Sequence, residues 1–214
     1  MNNYHILMAD IIRSREKDSI QIMKDFREIV AKIKKDWRNR FWSPPTITLG
    51  DEFQSIVSSA VAGVEVIFAF EELLVKRSID LKMRYVMNLG QIDTAINPTI
   101  AYGMFGEGLA EARGLLGKQK SGKTRFLFNL KNDVLSKKLG LAFTLYQSII
   151  DEWKVKDYKI LQEFLLNDDY KKVANRLKKD ASLIWRRKKS LRLHEYQATK
   201  ELIFLLLKET PCPQ

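Results

Sequence analysis

A chain of 214 residues with 45% hydrophobic and 10% aromatic side chains can bury a substantial core, which excludes wholesale disorder. Its 37 Lys and Arg against 26 Asp and Glu leave a formal charge of +11, and that surplus favours phosphate-bearing partners, nucleic acid or nucleotide. The lone cysteine, Cys212, sits between Pro211 and Pro213, so a disulfide framework and a cysteine metal site are both excluded. Met1 to Asp10 lacks a basic start and a long apolar stretch, and Leu202 to Leu207 is too short to span a bilayer; a cytoplasmic protein with no membrane span is expected.

His5 to Ile12 is an apolar run interrupted by one carboxylate, Asp10, which suits a buried strand ending at a site. Ile20, Met23, Phe26, Val30, Ile33 and Trp37 then recur at helical steps, predicting a helix from about Asp18 to Trp37. A loop through Pro44 and Pro45 leads to two β-rich runs, Thr46–Leu49 and Phe53–Val57, around Gly50-Asp51, the signature of a hairpin. Ser58 or Ser59 offers an N-cap for an apolar helix through Leu74, and a further strand is expected at about Leu81 to Leu89. This order predicts an α+β fold of ferredoxin-like or palm type, βαββαβ, with helices on one face of an antiparallel sheet. A helix from about Glu107 to Leu116 and a strand Phe126 to Leu130 follow. From about Leu139 the strand signals vanish, so the expected division is a palm domain over 1–138 and a helical domain over 139–214.

Asp10 closes a buried strand and Asp51 sits at a hairpin tip, so a palm sheet would set them side by side. Two carboxylates so placed suit Mg²⁺ or Mn²⁺, hard ions that take oxygen ligands and bridge to nucleotide phosphates. The plainer alternatives are that Gly-Asp is ordinary hairpin chemistry and that Asp10 caps the following helix.

Ala9-Asp10-Ile11-Ile12 resembles the first metal-binding strand of class III nucleotidyl cyclases, and Leu49-Gly50-Asp51-Glu52-Phe53 resembles the hairpin of GGDEF proteins. Arg84–Ile92 and Tyr102–Arg113 continue the likeness in order, over roughly the first 130 residues. The resemblance implies metal ligation by Asp10, Asp51 and the Ile11 carbonyl, and a catalytic role for Arg113. It also implies nucleotide contacts at Gly50 and Glu52, with Arg13 and Lys123 as further cations near the phosphates. Two departures weigh against turnover. Leu49 stands where GGDEF proteins have glycine, and Leu109, Ala110 and Glu111 occupy the helix that should offer the asparagine stabilising developing phosphate charge.

Gly117 to Thr124 fits the phosphate-loop pattern GxxxxGK[ST], but that motif needs a strand before it and a helix after it. Here a helix precedes and a strand follows, so a basic loop is the better reading. In the tail, Asn167-Asp168-Asp169 caps a helix from Tyr170 to Lys178, and a short turn leads to a basic helix beginning near Ala181. This resembles a helix-turn-helix that would set Arg186, Arg187, Lys188, Lys189 and Arg192 against DNA. A helical bundle with a solvated basic face, or binding to RNA or an acidic partner, are the alternatives.

A cyclase-like palm joined to such a tail resembles the SatD family, named for a bacterial secretion and acid-tolerance operon. The resemblance implies a bacterial regulatory protein with a metal- and nucleotide-binding palm coupled to DNA, and by analogy a homodimer. The alternative is an active two-metal nucleotidyl cyclase or nucleotidyltransferase acting on ATP or GTP.

Overall fold

The computed structural model describes residues 2–12, 19–119, 122 and 124–209. Arg13 and Lys123, expected near phosphate, lie outside them. Five strands, β1 (Asn3–Ile11), β2 (Phe41–Ile47), β3 (Glu52–Val57), β4 (Met83–Gln91) and β5 (Phe126–Asn129), form one sheet in the order β2-β3-β1-β4-β5. β1 is central and antiparallel to both β3 and β4. The sheet is mixed rather than wholly antiparallel, because β5 lies parallel to β4 after a crossover through a helix. Pro44 and Pro45, expected in a loop, fall inside β2. That position tolerates them because β2 is an edge strand and its register shifts between Ser43 and Thr46.

Alternation along β1 decides what each face of the sheet carries. Leu7, Ala9 and Ile11 enter the main core, whereas Ile6 and Met8 enter a second, smaller cluster on the other face. The main core receives α1 (Ser19–Asp36) and α2 (Ala60–Lys76), the latter capped by Ser59, whose hydroxyl accepts from Ala62 N–H at 3.1 Å. The opposite face is covered too. There α3 (Glu107–Gln119) lays Leu109, Ala112 and Leu116 against Ile6, Met8, Ile56 and Val86, so helices occupy both faces rather than one.

The tail is helical, as expected: α4 (Asp133–Ile150), α5 (Tyr158–Leu166), α6 (Tyr170–Leu177), α7 (Ala181–Ser190) and α8 (Leu193–Glu209). The division expected at 138 falls within α4, whose Leu135, Leu139 and Phe143 belong to the same apolar cluster as the sheet. Phe126 of β5 stacks with Tyr85 at 5.5 Å and meets Phe143 at 4.9 Å, and Tyr146 meets Tyr196 of α8 at 5.7 Å. Such aromatic pairs each add about 0.5–1.5 kcal/mol beyond their buried area, which ties the tail to the sheet. No helix among the described residues is long and apolar enough to cross a membrane.

Candidate nucleotide site and basic helix pair

Strand register gathers the polar residues of the first site. Asp10 lies opposite Glu52 on β3 and opposite Arg84 on β4, so the three side chains emerge together on the α3 face of the sheet. Backbone bonding draws the hairpin tip to the same place, since Ile11 N–H donates to the Asp51 carbonyl at 3.0 Å. Gly50 takes a left-handed φ of +80° at this tip, a conformation glycine adopts without steric cost. The structure thus brings Asp10, Ile11, Gly50, Asp51 and Glu52 to one end of the sheet.

Two of the carboxylates there, Asp10 and Glu52, are matched by guanidinium groups. Arg84 donates to both oxygens of Asp10, Nε to Oδ1 at 2.7 Å and Nη2 to Oδ2 at 2.9 Å, in a nearly buried fork. Arg113, projecting from α3, donates to Glu52 Oε1 at 3.1 Å, and the Thr48 hydroxyl donates to the same oxygen at 3.1 Å. Arg84 takes up one lone pair on each Asp10 oxygen, so a divalent cation bound there would share the carboxylate with a guanidinium or compete with it. No cluster of three or more His, Cys, Asp or Glu suited to a metal occurs among the described residues.

Beside Arg113 runs an open groove lined by Gln54, Tyr102, Phe105, Leu109 and Ala110. Tyr102 and Phe105 are 65% and 75% exposed, large aromatic surfaces presented to solvent beside a guanidinium. Their loop is pinned at both ends. Gln54 Nε2 donates to the Ala101 carbonyl at 3.0 Å, and Ala101 N–H donates to the Thr46 hydroxyl at 2.8 Å. At the other end Asp93 N–H donates to the Phe105 carbonyl at 2.8 Å, and Phe105 N–H to the Thr94 hydroxyl at 3.1 Å. The segment that should carry a catalytic asparagine instead gives Glu111, which accepts from Asn88 at 3.1 Å and Asn129 at 3.0 Å and so anchors α3 to the sheet.

Arg84, Gln54, Tyr102 and Phe105 also stand at this end of the sheet, beyond the residues expected there. Arg84 had a signal, since it shares strand parity with Val86 and Asn88 and so faces α3. The aromatics had none, because exposed and buried aromatics look alike in a chain. The phosphate-loop pattern begins within the last turn of α3, at Gly117, and β5 follows it, the reverse of the strand-then-helix order that motif requires; its residues 120, 121 and 123 lie outside the described ones.

The second site is the pair α6 and α7. Asp169 caps α6 by accepting from Lys171 N–H at 2.9 Å, and Asp180 caps α7 by accepting from Leu183 N–H at 3.0 Å. Between them Lys178 adopts φ +51°, and Lys179 N–H donates back to the Ala174 carbonyl at 3.0 Å, closing α6 in the way a glycine usually does. From Tyr170 to Arg192 the sequence holds ten lysines and arginines against a single carboxylate, Asp180. Among the cations expected to meet DNA, Arg186 and Lys189 are exposed, whereas Arg187 pairs with Asp157 and Lys188 pairs with Asp168 at 2.6 Å. Arg192 is partly covered and lies 3.9 Å from Glu152.

A five-stranded mixed sheet with Asp10 near the end of its central strand, a hairpin turned onto it and helices over both faces defines an α+β protein. The SatD family model matches residues 4–207, and the chain belongs to the SatD family. A bacterial light-regulated adenylyl cyclase is similar at 11% identity and a TM-score of 0.42, over 59% of this chain and 75% of that one. A second structure of such a cyclase gives 10% and 0.42, over 59% of this chain and 43% of that one. The catalytic core of a rhodopsin-guanylyl cyclase with converted specificity, in complex with ATPαS, gives 12% and 0.37, over 59% and 77%. A search of curated proteins found no match.

Proposed function

We propose that this SatD-family chain is a regulatory protein whose palm binds a nucleotide and whose α6–α7 pair binds DNA. The observation that carries the nucleotide reading is Arg113. Its side chain is 51% exposed, is steadied by Glu52, and stands at the mouth of a groove whose floor and rim offer Gln54, Tyr102 and Phe105. A guanidinium suits phosphate and an exposed aromatic suits a planar base, so the groove fits a ligand that combines the two.

The test is the melting shift of the purified protein with ATP, GTP or cyclic dinucleotides, each with and without Mn²⁺, for wild type and Arg113→Ala. Binding to the folded state at a hundred times Kd raises stability by about 2.7 kcal/mol, so an upshift in wild type that is abolished by Arg113→Ala is expected. No shift with any nucleotide would overturn the reading.

A second reading, turnover by a metal-dependent nucleotidyl cyclase or nucleotidyltransferase, draws on the Ile11–Asp51 backbone bond that brings both aspartates to one end of the sheet. Opposing it are the Arg84 fork on Asp10 and the absence of an asparagine at Leu109 to Glu111. Pyrophosphate release from ATP or GTP that disappears in Asp51→Asn would favour this second reading.

A further inference from the structure

The run Arg186-Arg187-Lys188-Lys189 reads in sequence as one cationic patch, but a helix turns about 100° per residue and divides it. Ile184 is fully buried and Leu191 nearly so, and they fix the inward side of α7. Arg187 and Lys188 lie on that side. Arg187 pairs with Asp157, a carboxylate only 11% exposed, and donates from Nη1 to the Ser190 hydroxyl at 3.0 Å. Lys188 donates to the Asp168 carbonyl at 2.7 Å and sits 5.8 Å from the Phe164 ring. Both hold α7 against α5 and the segments on either side of it.

The outward side carries Ser182, Trp185, Arg186 and Lys189, all exposed, and Lys178 and Lys179 stand in the turn that leads into it. We infer that the DNA phosphates are contacted by Arg186 and Lys189 with Lys178 and Lys179, while Arg187, Lys188 and Arg192 serve the fold. This rests on the DNA-binding reading above and assigns its residues. Duplex DNA suits the surface better than single strands. The one exposed aromatic on this side, Trp185, has the Lys189 ammonium 3.9 Å from its ring centre, so one face of the ring is taken by a cation, and no second exposed aromatic among the described residues beside it extends a platform for successive bases. A rigid helix with cations one turn apart matches the backbone walls of a groove.

Fluorescence anisotropy with a mixed-sequence DNA duplex, over a series of salt concentrations, tests the assignment on the full chain. Replacing Arg186 and Lys189 by Ala should make the slope of log K against log salt shallower by about 1.8, from two lost phosphate contacts at about 0.9 each, without changing the melting temperature. Arg187→Met with Lys188→Met should lower the melting temperature and leave that slope unchanged. If the second pair flattens the slope and the first does not, the assignment is overturned while DNA binding stands. If wild type binds no duplex at low salt, or binds single-stranded RNA more tightly, the DNA-binding reading itself falls and the assignment with it.

Discussion

Asp10 and Arg84 stand 74 residues apart in the chain and form a forked ion pair across the sheet, two N–H···O bonds with little solvent around them. Breaking such a pair from one side leaves a charge in a poorly solvated place, at a cost of about 3–5 kcal/mol. Asp10→Ala is therefore expected to lower stability by an amount of that order in urea denaturation, whatever it does to ligand binding. A nucleotide effect of this variant has meaning only where the protein is folded, which is why Arg113, half exposed on α3, is the better probe. A titrating residue gives an independent reading. Burial by itself pushes the Glu72 carboxyl up, but the Lys200 charge, with Lys76 and a 2.9 Å bond from the Tyr196 hydroxyl, brings it below its ordinary 4.5. A carboxyl whose folded value lies below its unfolded value stabilises the fold fully above about 4.5 and loses that contribution as the pH falls through the folded value. Melting curves across pH should show wild type above Glu72→Gln near neutrality, with the gap closing in acid.

At the scale of elements, α3 decides whether the groove exists. Its Gly108 crosses Gly90 of β4 so closely that a Cβ on Gly108 would lie 2.5 Å from the Gly90 backbone, with no flexible side chain to yield. Gly108→Ala should push α3 off the sheet, lower the melting temperature, and weaken nucleotide binding through displacement of Arg113 from Glu52. An equal melting temperature with unchanged binding would contradict this account of the packing. A helix at about Glu107 to Leu116 was legible in sequence. Its side of the sheet was not, because a short helix between two strands can pack on either face until the small residues of both elements are seen to meet. The hairpin was legible from Gly50-Asp51 between β-rich runs. Its first strand was not fully so, since Pro44 and Pro45 argue against a strand unless that strand lies at an edge.

Over the whole molecule, Arg125 is the junction between the sheet and the tail. Nearly buried at the start of β5, it forks onto Glu71 of α2 at 3.1 and 3.0 Å, reaches Asp151 beyond α4 at 3.1 Å, and donates to the Met83 carbonyl at 2.7 Å. Burial favours the neutral form, but Glu71 and Asp151 outweigh it and hold the guanidinium charged. The aromatic sequence from Tyr85 through Phe126, Phe143 and Tyr146 to Tyr196 runs alongside, so the helical tail and the sheet share an apolar core. The order of elements, the caps at Ser58 or Ser59 and at Asn167 to Asp169, the hairpin and the basic character of α6 and α7 were determined by the sequence itself, because each depends on neighbours within a turn or two of chain. Tertiary structure alone decided that Arg84 neutralises Asp10, that Arg113 meets Glu52 beside two exposed aromatics, and that Arg187 and Lys188 are committed to Asp157 and Asp168. Those pairings depend on strand register and helix docking between segments far apart in the chain, and local periodicity carries no record of which distant residue will face which.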